Sequence, residues 1–552
     1  MLCRLVLYLA TMVTLGGLAC QTEAAPRAVQ PTLLDEAFQA AQWGFLSSAG
    51  SALHQTSQRL AAGDDALAKA LQQRQVLADQ VETAEAALAR LGTDDAGNAR
   101  AEFTRLAGDI TQLNTRVAAL DADISRDFPD FDQKARPRPL SVPDVQSHLE
   151  PDEALLFVYS GERRSFIWLV TPELATWHRL SLGTPELSDS VAAIRQSLQA
   201  GATLRGAEAM DDDFSAEAIP AFDRVNAWLL YAELIFPIEP YLADIKHIYT
   251  VVDGPLSGLP LSLLVTDIQI KGEDNDPEAL RNTGWLFQRH ALTTLPSVES
   301  LALVTRAAPA PGADQLAFLG FGDPVFSGAV SNTSDGQFFR SGGADLDSIR
   351  ALAPLPNTRR EINRLADVLG RDRSAIHLGA DASEHAVRAA PMNRADVIAF
   401  ATHGLLSGEL RGLAEPALVL TPPDKIEPGN DGLLTSSEIA SMSFTADWVV
   451  LSACNTAGSD GRPDAEGLSG LARAFLLAGA RSLLVSHWPV RDDAAARLTT
   501  DTFTALSAAP GTRRKSEALQ QAMQTLMQDE SDPSLAHPAA WAPFVVVGHG
   551  GY

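Results

Sequence analysis

The chain has 552 residues, of which 46% are hydrophobic, so it can bury several cores and we expect two to four globular units. Lys and Arg number 43 against 69 Asp and Glu, which gives a formal net charge of −26. This charge repels the phosphates of nucleic acids and anionic lipid headgroups, so we expect no nucleic-acid partner.

The three cysteines are Cys3, Cys20 and Cys454, and the first two lie near the N-terminus in a segment of signal-peptide character. The remaining body therefore holds one thiol. It cannot form an internal disulfide, and it has no cysteine cluster for a structural zinc ion. We expect neither a metal nor a cofactor.

Residues 1–25 have the composition of a secretory signal peptide. Arg4 is followed by an apolar run from residue 5 to about residue 13, and small residues come next. The run is too short for a spanning helix. The sequence thus predicts an exported protein, either periplasmic or attached by lipid to the envelope membrane.

The stretch "GGLAC" resembles a bacterial lipobox, in which Cys20 becomes the lipidated first residue. The alternative is ordinary cleavage after Ala19 or Ala24. No later run is long enough to span a bilayer, so we expect membrane attachment only through such a lipid.

Residues 30–128 are predicted to form a helical module. Two apolar stripes step by three and four residues on either side of the turn "GTDDAGN". This pattern predicts an antiparallel helical hairpin with a coiled-coil seam. The 34-residue period of a tetratricopeptide repeat is not found, so we favour a helical stalk or packing module over such a repeat. The stripes comprise Leu77, Val81, Ala84, Leu88 and Leu91, and then Phe103, Leu106, Ile110, Leu113, Val117, Leu120 and Ile124.

A Pro-rich linker follows, and residues 140–310 begin a second region. "EALLFVYSGERRSFIWLVTP" predicts two strands in a hairpin, residues 201–216 an acidic connection, and "HIYTVVDGPLSGLPLSLL" a further strand.

From residue 311 to residue 552, apolar strands alternate with helices. The strands are "LAFLGFGDP", "DVIAFATHG", "PALVLTPP", "DWVVLSACN" and "SLLVSHWPV", and the helices are "TRREINRLADVLG" and "GLSGLARAFLLAGA". We predict an α/β fold with a mostly parallel sheet flanked by helices. In such sheets functional residues gather at the carboxyl ends of the strands.

Two of those ends carry reactive side chains, His403 and Cys454. A thiol attacks as a thiolate, and a neighbouring imidazole promotes that form. If the two strands are neighbours, both side chains project into one cleft. The backbone N–H groups of Gly404 and Cys454 are then candidate donors to an oxyanion.

These segments resemble one known family. "FATHG", "LSACNTA" and "EGLSGLARAFLLAGARSLLVSHWPV", in this order, resemble the CHAT domain, a branch of the caspase-like cysteine peptidases often found behind tetratricopeptide repeats. The likeness extends over residues 140–552 and includes "VVDGPLSGLPLSLL", "LPSVESL", "LPNTRREINRLADVLG" and the closing "FVVVGHG".

The resemblance implies a peptidase that uses no metal, with Cys454 as nucleophile and His403 as general base and then acid. Its substrate would be a protein or peptide, recruited or regulated through the N-terminal helices. The alternative is a catalytically silent caspase-like scaffold. A third interpretation is a peptidase held inactive by those helices or by the loop 325–345.

Acidic residues near Cys454 are candidates for a pocket that selects a basic P1 side chain, and Glu466 is the candidate we retain. For Asp460 and Asp464 we favour a solvated surface or a helix start. Asp492 and Asp493 follow the next strand. They could likewise line such a pocket, or lie on a solvated surface or at a helix start.

Ser452 occupies a position where some related peptidases carry an acidic specificity residue, so the P1 preference stays open. His487 also follows a strand, but the next residues, Trp and Pro, indicate a packed turn. We interpret it as structural.

Overall fold

The computed structural model describes most of the chain. The described residues are 31–44, 70, 73–74, 77, 80–81, 84, 98–127, 139–202, 219–304, 315–326, 346–406, 413, 415–425, 430–453, 456–457 and 469–551. The predicted signal peptide and Cys20 lie outside them, as does most of the predicted acidic connection.

The described strands, in chain order, are β1 (Glu153–Tyr159), β2 (Phe166–Val170), β3 (Ala175–Arg179), β4 (His247–Val252), β5 (Ala291–Thr294), β6 (Leu316–Pro324), β7 (Ser374–Gly379), β8 (Ala395–Ala401), β9 (Gly404–Leu405), β10 (Ala417–Val419), β11 (Leu433–Thr435), β12 (Trp448–Ser452), β13 (Ser482–Ser486) and β14 (Phe544–Gly548).

The described α-helices are α1 (Pro31–Gly44), α2 (Asn98–Asp127), α3 (Val142–Gln146), α4 (Thr184–Ala202), α5 (Arg224–Leu234), α6 (Pro277–Arg281), α7 (Leu286–Arg289), α8 (Ser300–Val304), α9 (Leu346–Arg350), α10 (Pro356–Leu369), α11 (Glu384–Ala389), α12 (Ser436–Ala440), α13 (Gly470–Ala478), α14 (Asp492–Ser507), α15 (Lys515–Met527) and α16 (Pro538–Trp541). The 3-10 turns are Glu239–Tyr241, Gly254–Gly258, Leu261–Leu263, Arg371–Arg373, Met392–Arg394 and Pro533–Ala536.

One large sheet runs through both regions after the linker. Within the described residues its strand order is β3-β2-β1-β4-β5-β14-β13-β12-β8-β6-β7. Strands β1, β4, β5 and β14 are parallel to one another, as are β13, β12, β8, β6 and β7. The two groups meet where β14 pairs antiparallel with β13. The predicted α/β class with a mostly parallel, helix-flanked sheet is therefore confirmed.

Apolar helices cover both faces of this sheet. On one face, sheet residues such as Val450 and Leu484 pack with helices α4, α5, α10, α14, α15 and α16. On the other, Val449 and Val485 pack with α12 and α13. All five residues of β12 and all five of β13 are buried, as expected for central strands covered on both sides.

Two local predictions need correction. "PALVLTPP" was expected to add a strand to the large sheet, but its strand β10 pairs with β9 and β11 in a separate antiparallel sheet. Only three residues of it are extended, too few to cross the large sheet. The second half of "HIYTVVDGPLSGLPLSLL" forms 3-10 turns after β4, since Gly254 and two prolines interrupt the extended chain.

The second predicted N-terminal helix is present as α2, and the scattered described positions from 70 to 84 are helical as well. Leu106 is buried, and Ile110, Leu113 and Val117 are half-buried, whereas most neighbours between them are exposed. The predicted turn lies almost wholly outside the described residues, so the hairpin stays a prediction. In the part of the chain that the structure describes, no helix is long and apolar enough to cross a membrane.

Helix α10 lies very close to β6 because glycines replace side chains there. A Cβ atom on Gly322 would lie 2.8 Å from Cγ1 of Ile362, and one on Gly320 would lie 2.8 Å from Cγ2 of the same residue. Ile362 is fully buried. The sequence "GFGDP" thus sets the distance between α10 and the sheet.

We expect Gly322→Ala to lower the free energy of unfolding by about 1–3 kcal/mol, because the new methyl group overpacks against Ile362. Ile362→Ala alone should cost about 2–5 kcal/mol through the cavity it leaves. The double variant should lose less than the sum of the two, since each change relieves the other. Urea unfolding measures all three.

Gly108→Ala is the matched control, because Gly108 lies in α2 and a Cβ there would meet nothing within 4 Å. It should be neutral or slightly stabilising. Additive losses for Gly322→Ala and Ile362→Ala would contradict the close-packing explanation.

Candidate functional site

The candidate site lies at the carboxyl ends of β8 and β12, which are parallel neighbours. Ala401 pairs with Ser452, and the backbone N–H of Thr402 donates to the carbonyl of Ser452 at 3.3 Å. His403 comes two residues after Ala401, and Cys454 two residues after Ser452. Cys454 itself lies outside the described residues.

His403 is held in a defined orientation. Its side chain is buried, and its Nε2 lies 2.7 Å from the carbonyl oxygen of Ala353. A carbonyl oxygen only accepts, so Nε2 carries the proton and, in the neutral ring, Nδ1 carries the lone pair. The ring of Phe326 packs against the imidazole with centroids 5.4 Å apart. The His403 carbonyl accepts from the N–H of Val419 at 2.9 Å.

Gly404 begins β9, directly after His403, and pairs with Leu418 of β10. Both residues of β9 are buried. The small sheet therefore continues from the histidine and covers this side of the strand end. The predicted oxyanion donors, the N–H groups of Gly404 and Cys454, stay a prediction.

The residues on either side of Cys454 are fixed by hydrogen bonds to the end of β13. The hydroxyl of Ser486 donates to the carbonyl of Ala453 at 2.7 Å, and its backbone N–H donates to the hydroxyl of Thr456 at 2.9 Å. The N–H of Ala457 donates to the Ser486 carbonyl at 2.7 Å. All of these groups are buried, so Ala453 and Thr456–Ala457 are both fixed to the end of β13.

Ser469 adds a further contact at the start of α13. Its hydroxyl donates to the carbonyl of Thr456 and accepts from the N–H of Ala472 at 3.2 Å, which makes it the N-cap of the helix. The helix predicted from residue 467 therefore begins at Gly470. Sequence reasoning missed this role, although a serine before an apolar helical run is a usual cap signal.

The side chain of Ser452 is buried against α10. Its hydroxyl donates to Oε2 of Glu361 on α10 at 3.1 Å, and Thr499 on α14 donates to Oε1 at 2.7 Å. Ser452 and Glu361 are each 1% exposed. Sequence reasoning also missed Glu361, yet a charged residue between Thr358 and Ile362 on the buried side of α10 was a visible signal.

The acidic residues after β13 are structural. Asp492 accepts from the backbone N–H of Asn357 at 2.8 Å and so joins the starts of α14 and α10. Asp493 accepts from Nε of Arg491 at 2.9 Å. Asp460, Asp464 and Glu466 lie outside the described residues, and the role of Glu466 stays a prediction.

His487 lies in the core, as its structural interpretation requires. It is 5% exposed, its carbonyl accepts from Arg195 at 3.5 Å and its N–H donates to the carbonyl of Pro543 at 2.9 Å. Burial, together with the nearby Arg195 charge, lowers its pKa to about 3, so the ring is neutral near pH 7.

No group of three or more His, Cys, Asp and Glu side chains within the described ranges is arranged to hold a metal ion. A groove of about 740 Å³ lies between the N-terminal helices and the end of α12. Its lining includes Leu77, Arg116, Leu120 and Ser441.

Comparison with protein families gives one match: the family model described as the CHAT domain matches residues 225–549. The matched range contains β8, β12 and β13 with their connecting helices. It thus includes both strand ends of the candidate site.

Among curated proteins, tetratricopeptide repeat protein 28 of Homo sapiens is 26% identical over 361 residues, which cover 58% of this chain and 13% of that protein. The Mus musculus protein of the same name has the same identity and coverage. The matched part of the chain therefore spans about an eighth of the length of these relatives.

Among solved structures, the Saccharomyces cerevisiae separase–securin complex has a TM-score of 0.44 at 12% identity, covering 82% of this chain and 34% of that chain. The Arg-specific cysteine proteinase gingipain R of Porphyromonas gingivalis has a TM-score of 0.35 at 12% identity, covering 66% and 74%.

We expect His487→Gln to reduce the acid sensitivity of folding. Unfolded histidine binds a proton below about pH 6.5, whereas folded His487 does so only near pH 3, so the unfolded state binds more protons between these values. The wild-type free energy of unfolding should therefore fall by up to about 1.4 kcal/mol per pH unit from this group as pH drops below 6.5.

Urea unfolding of both proteins at pH 7, 6 and 5 measures the effect. The stability difference between wild type and variant should shrink as pH falls. A difference that does not change with pH would mean that His487 is not held neutral.

Proposed function

The chain belongs to the CHAT domain family, and from this premise we propose that it is a cysteine peptidase that cleaves a protein partner with a dyad of His403 and Cys454. One observation carries the proposal. The strands that end before these residues are parallel neighbours, with Ala401 opposite Ser452. Adjacent strands lie about 5 Å apart, so we expect the residues two positions beyond these paired ends to approach each other.

In the proposed reaction, Nδ1 of His403 takes the proton from the Cys454 thiol. The thiolate attacks the carbonyl carbon of the peptide bond and forms a tetrahedral intermediate. Donors at the strand ends, the N–H groups of Gly404 and Cys454, stabilise its oxyanion. His403 then gives the proton to the leaving amine, and a thioester remains on Cys454.

Hydrolysis of that thioester completes the cycle. His403 removes a proton from water, the resulting hydroxide attacks the thioester carbonyl, and the thiol leaves as the carboxylic acid forms. The hydrogen bond from Nε2 to the Ala353 carbonyl supports both half-reactions. It keeps one tautomer and stabilises the imidazolium, the part that a carboxylate plays in a serine peptidase triad.

In this proposal, the N-terminal helices recruit the protein substrate. The groove that these helices line also includes Ser441, at the end of α12. Helix α12 directly follows β11, a strand of the small sheet that begins beside His403. A partner bound there is therefore attached to the same body as the dyad.

We expect Cys454 of the full-length protein to react with an electrophilic peptide probe near neutral pH. His403→Ala should slow this labelling by about 100-fold, because the thiol loses its base. Intact mass and peptide mapping after timed labelling measure the rate at Cys454. Cys454→Ser should lose the label at that position.

His487→Gln is the matched control, since it replaces another buried histidine that also follows a strand of the sheet and is held through its backbone N–H and carbonyl. Its labelling rate should stay within about threefold of wild type. Well-folded wild type that takes up no label, or labels as slowly as His403→Ala, would favour the catalytically silent scaffold instead.

We expect Glu466 to select a basic P1 side chain. Glu466→Gln should slow labelling by a probe with P1 arginine by about 10-fold or more, since a charge-assisted contact is lost, and should leave a P1 alanine probe unaffected. The ratio of the two rates is the readout. Equal ratios in wild type and variant would show that Glu466 does not select the P1 side chain.

A further inference from the structure

A buried carboxylate lies beneath the candidate dyad. Glu361 is 1% exposed and reaches from α10 between the end of β12 and helix α14. One carboxylate oxygen accepts from the hydroxyl of Ser452 at 3.1 Å, and the other accepts from the hydroxyl of Thr499 at 2.7 Å. The three side chains thus join one strand and two helices.

The contact between Glu361 and Ser452 lies at the end of β12, next to the predicted nucleophile. Ser452 is the last residue of β12, and Cys454 follows two positions later. Ser452 projects toward α10, and only Ala453 separates it from Cys454. A shift of Ser452 is therefore transmitted directly to position 454.

The same short segment of chain also contacts the other strand end. Ala353, three residues before α10, supplies the carbonyl that orients His403, and Glu361 lies in the second turn of the helix. Helix α10 is itself fixed, since its Ile362 packs on the glycines of β6 and its first turn is bonded to Asp492. Residues 353–361 therefore contact both strand ends of the candidate site, His403 through Ala353 and Ser452 through Glu361.

An ionisable side chain is unfavourable at this buried position. Burying an ionisable side chain costs stability that a well-packed apolar residue does not, and hydroxyl donors such as Ser452 and Thr499 offset part of that cost. Packing alone therefore does not account for Glu361.

We propose that Glu361 is a positioning residue for the dyad: through Ser452 it fixes the end of β12 on α10 and so sets the distance from Cys454 to His403. This rests on the proposed function, because it concerns the same thiol. A displacement of about 1 Å at a reacting atom costs up to two orders of magnitude in rate.

The test compares the rate at which iodoacetamide alkylates Cys454 in full-length variants of confirmed fold, between pH 5 and pH 9. Glu361→Ala and Ser452→Ala should each slow alkylation by about 10- to 100-fold at neutral pH. Their pH profiles should move toward that of an ordinary thiol, because the imidazole no longer lies in reach.

Glu361→Gln should stay within about threefold of wild type. Its amide can accept from Ser452 and donate to Thr499, whose own hydroxyl then donates to the Ala495 carbonyl at 3.1 Å. Ser482→Ala is the matched control for Ser452→Ala. It removes another buried serine hydroxyl from the opposite end of the neighbouring strand, where that hydroxyl donates to the His549 carbonyl and accepts from Nζ of Lys515 at 2.7 Å. Its alkylation profile should equal that of wild type.

The outcomes separate the two hypotheses. If wild type shows an activated thiol that His403→Ala abolishes, but Ser452→Ala and Glu361→Ala react like wild type, the positioning role is wrong and the dyad stands. If Ser482→Ala slows alkylation as much as Ser452→Ala, the effect is general loss of stability and the role is also wrong. If wild type itself reacts like an ordinary thiol, both proposals fall.

Discussion

The parallel pairing of β8 with β12 is the constraint on which the site depends. Ala401 and Ser452 stand opposite each other, and the ladder continues through the N–H of Thr402. A slip of one residue in this register would turn one side chain of the pair to the other face of the sheet. Both strands are buried on both faces, so such a slip would also place side chains of the wrong size and shape against the covering helices. The same register between β8 and β12 is therefore needed both for the packing of the core and for the geometry of the site.

Around this pairing, serine hydroxyls form hydrogen bonds within the protein and so fix the ends of the strands. Ser486 and Ser469 bond to carbonyl groups on either side of position 454, and Ser452 bonds to Glu361. The hydroxyls of Ser486 and Ser469 satisfy buried backbone carbonyls that lie outside the regular strands and helices. The described residues on either side of position 454 are thus fixed by buried hydrogen bonds.

Much of this could be predicted from the sequence. The apolar runs of β8, β12 and β13 and the alternation with helices indicated the α/β class, and the order of motifs indicated the family. The strand β10 was misassigned because its apolar residues fit a large sheet as well as a small one. Ala353 and Ser486 were not predicted at all. Their roles depend on which atoms meet after folding, a backbone carbonyl in one case and an ordinary hydroxyl in the other, and neither leaves a local pattern. Glu361 did leave one, since it interrupts the apolar side of α10.

The placement of β14 has a consequence for biosynthesis. This strand joins the two groups of parallel strands, pairing Val546 with Thr293 on one side and with Leu484 on the other. Until residues 544–548 leave the ribosome, β5 and β13 each present an unpaired edge, and such edges are templates for aggregation. Pairing over so long a sequence separation is also slow. We therefore expect that the nascent chain needs chaperone protection for most of its synthesis, and that the large sheet cannot be completed before that strand arrives.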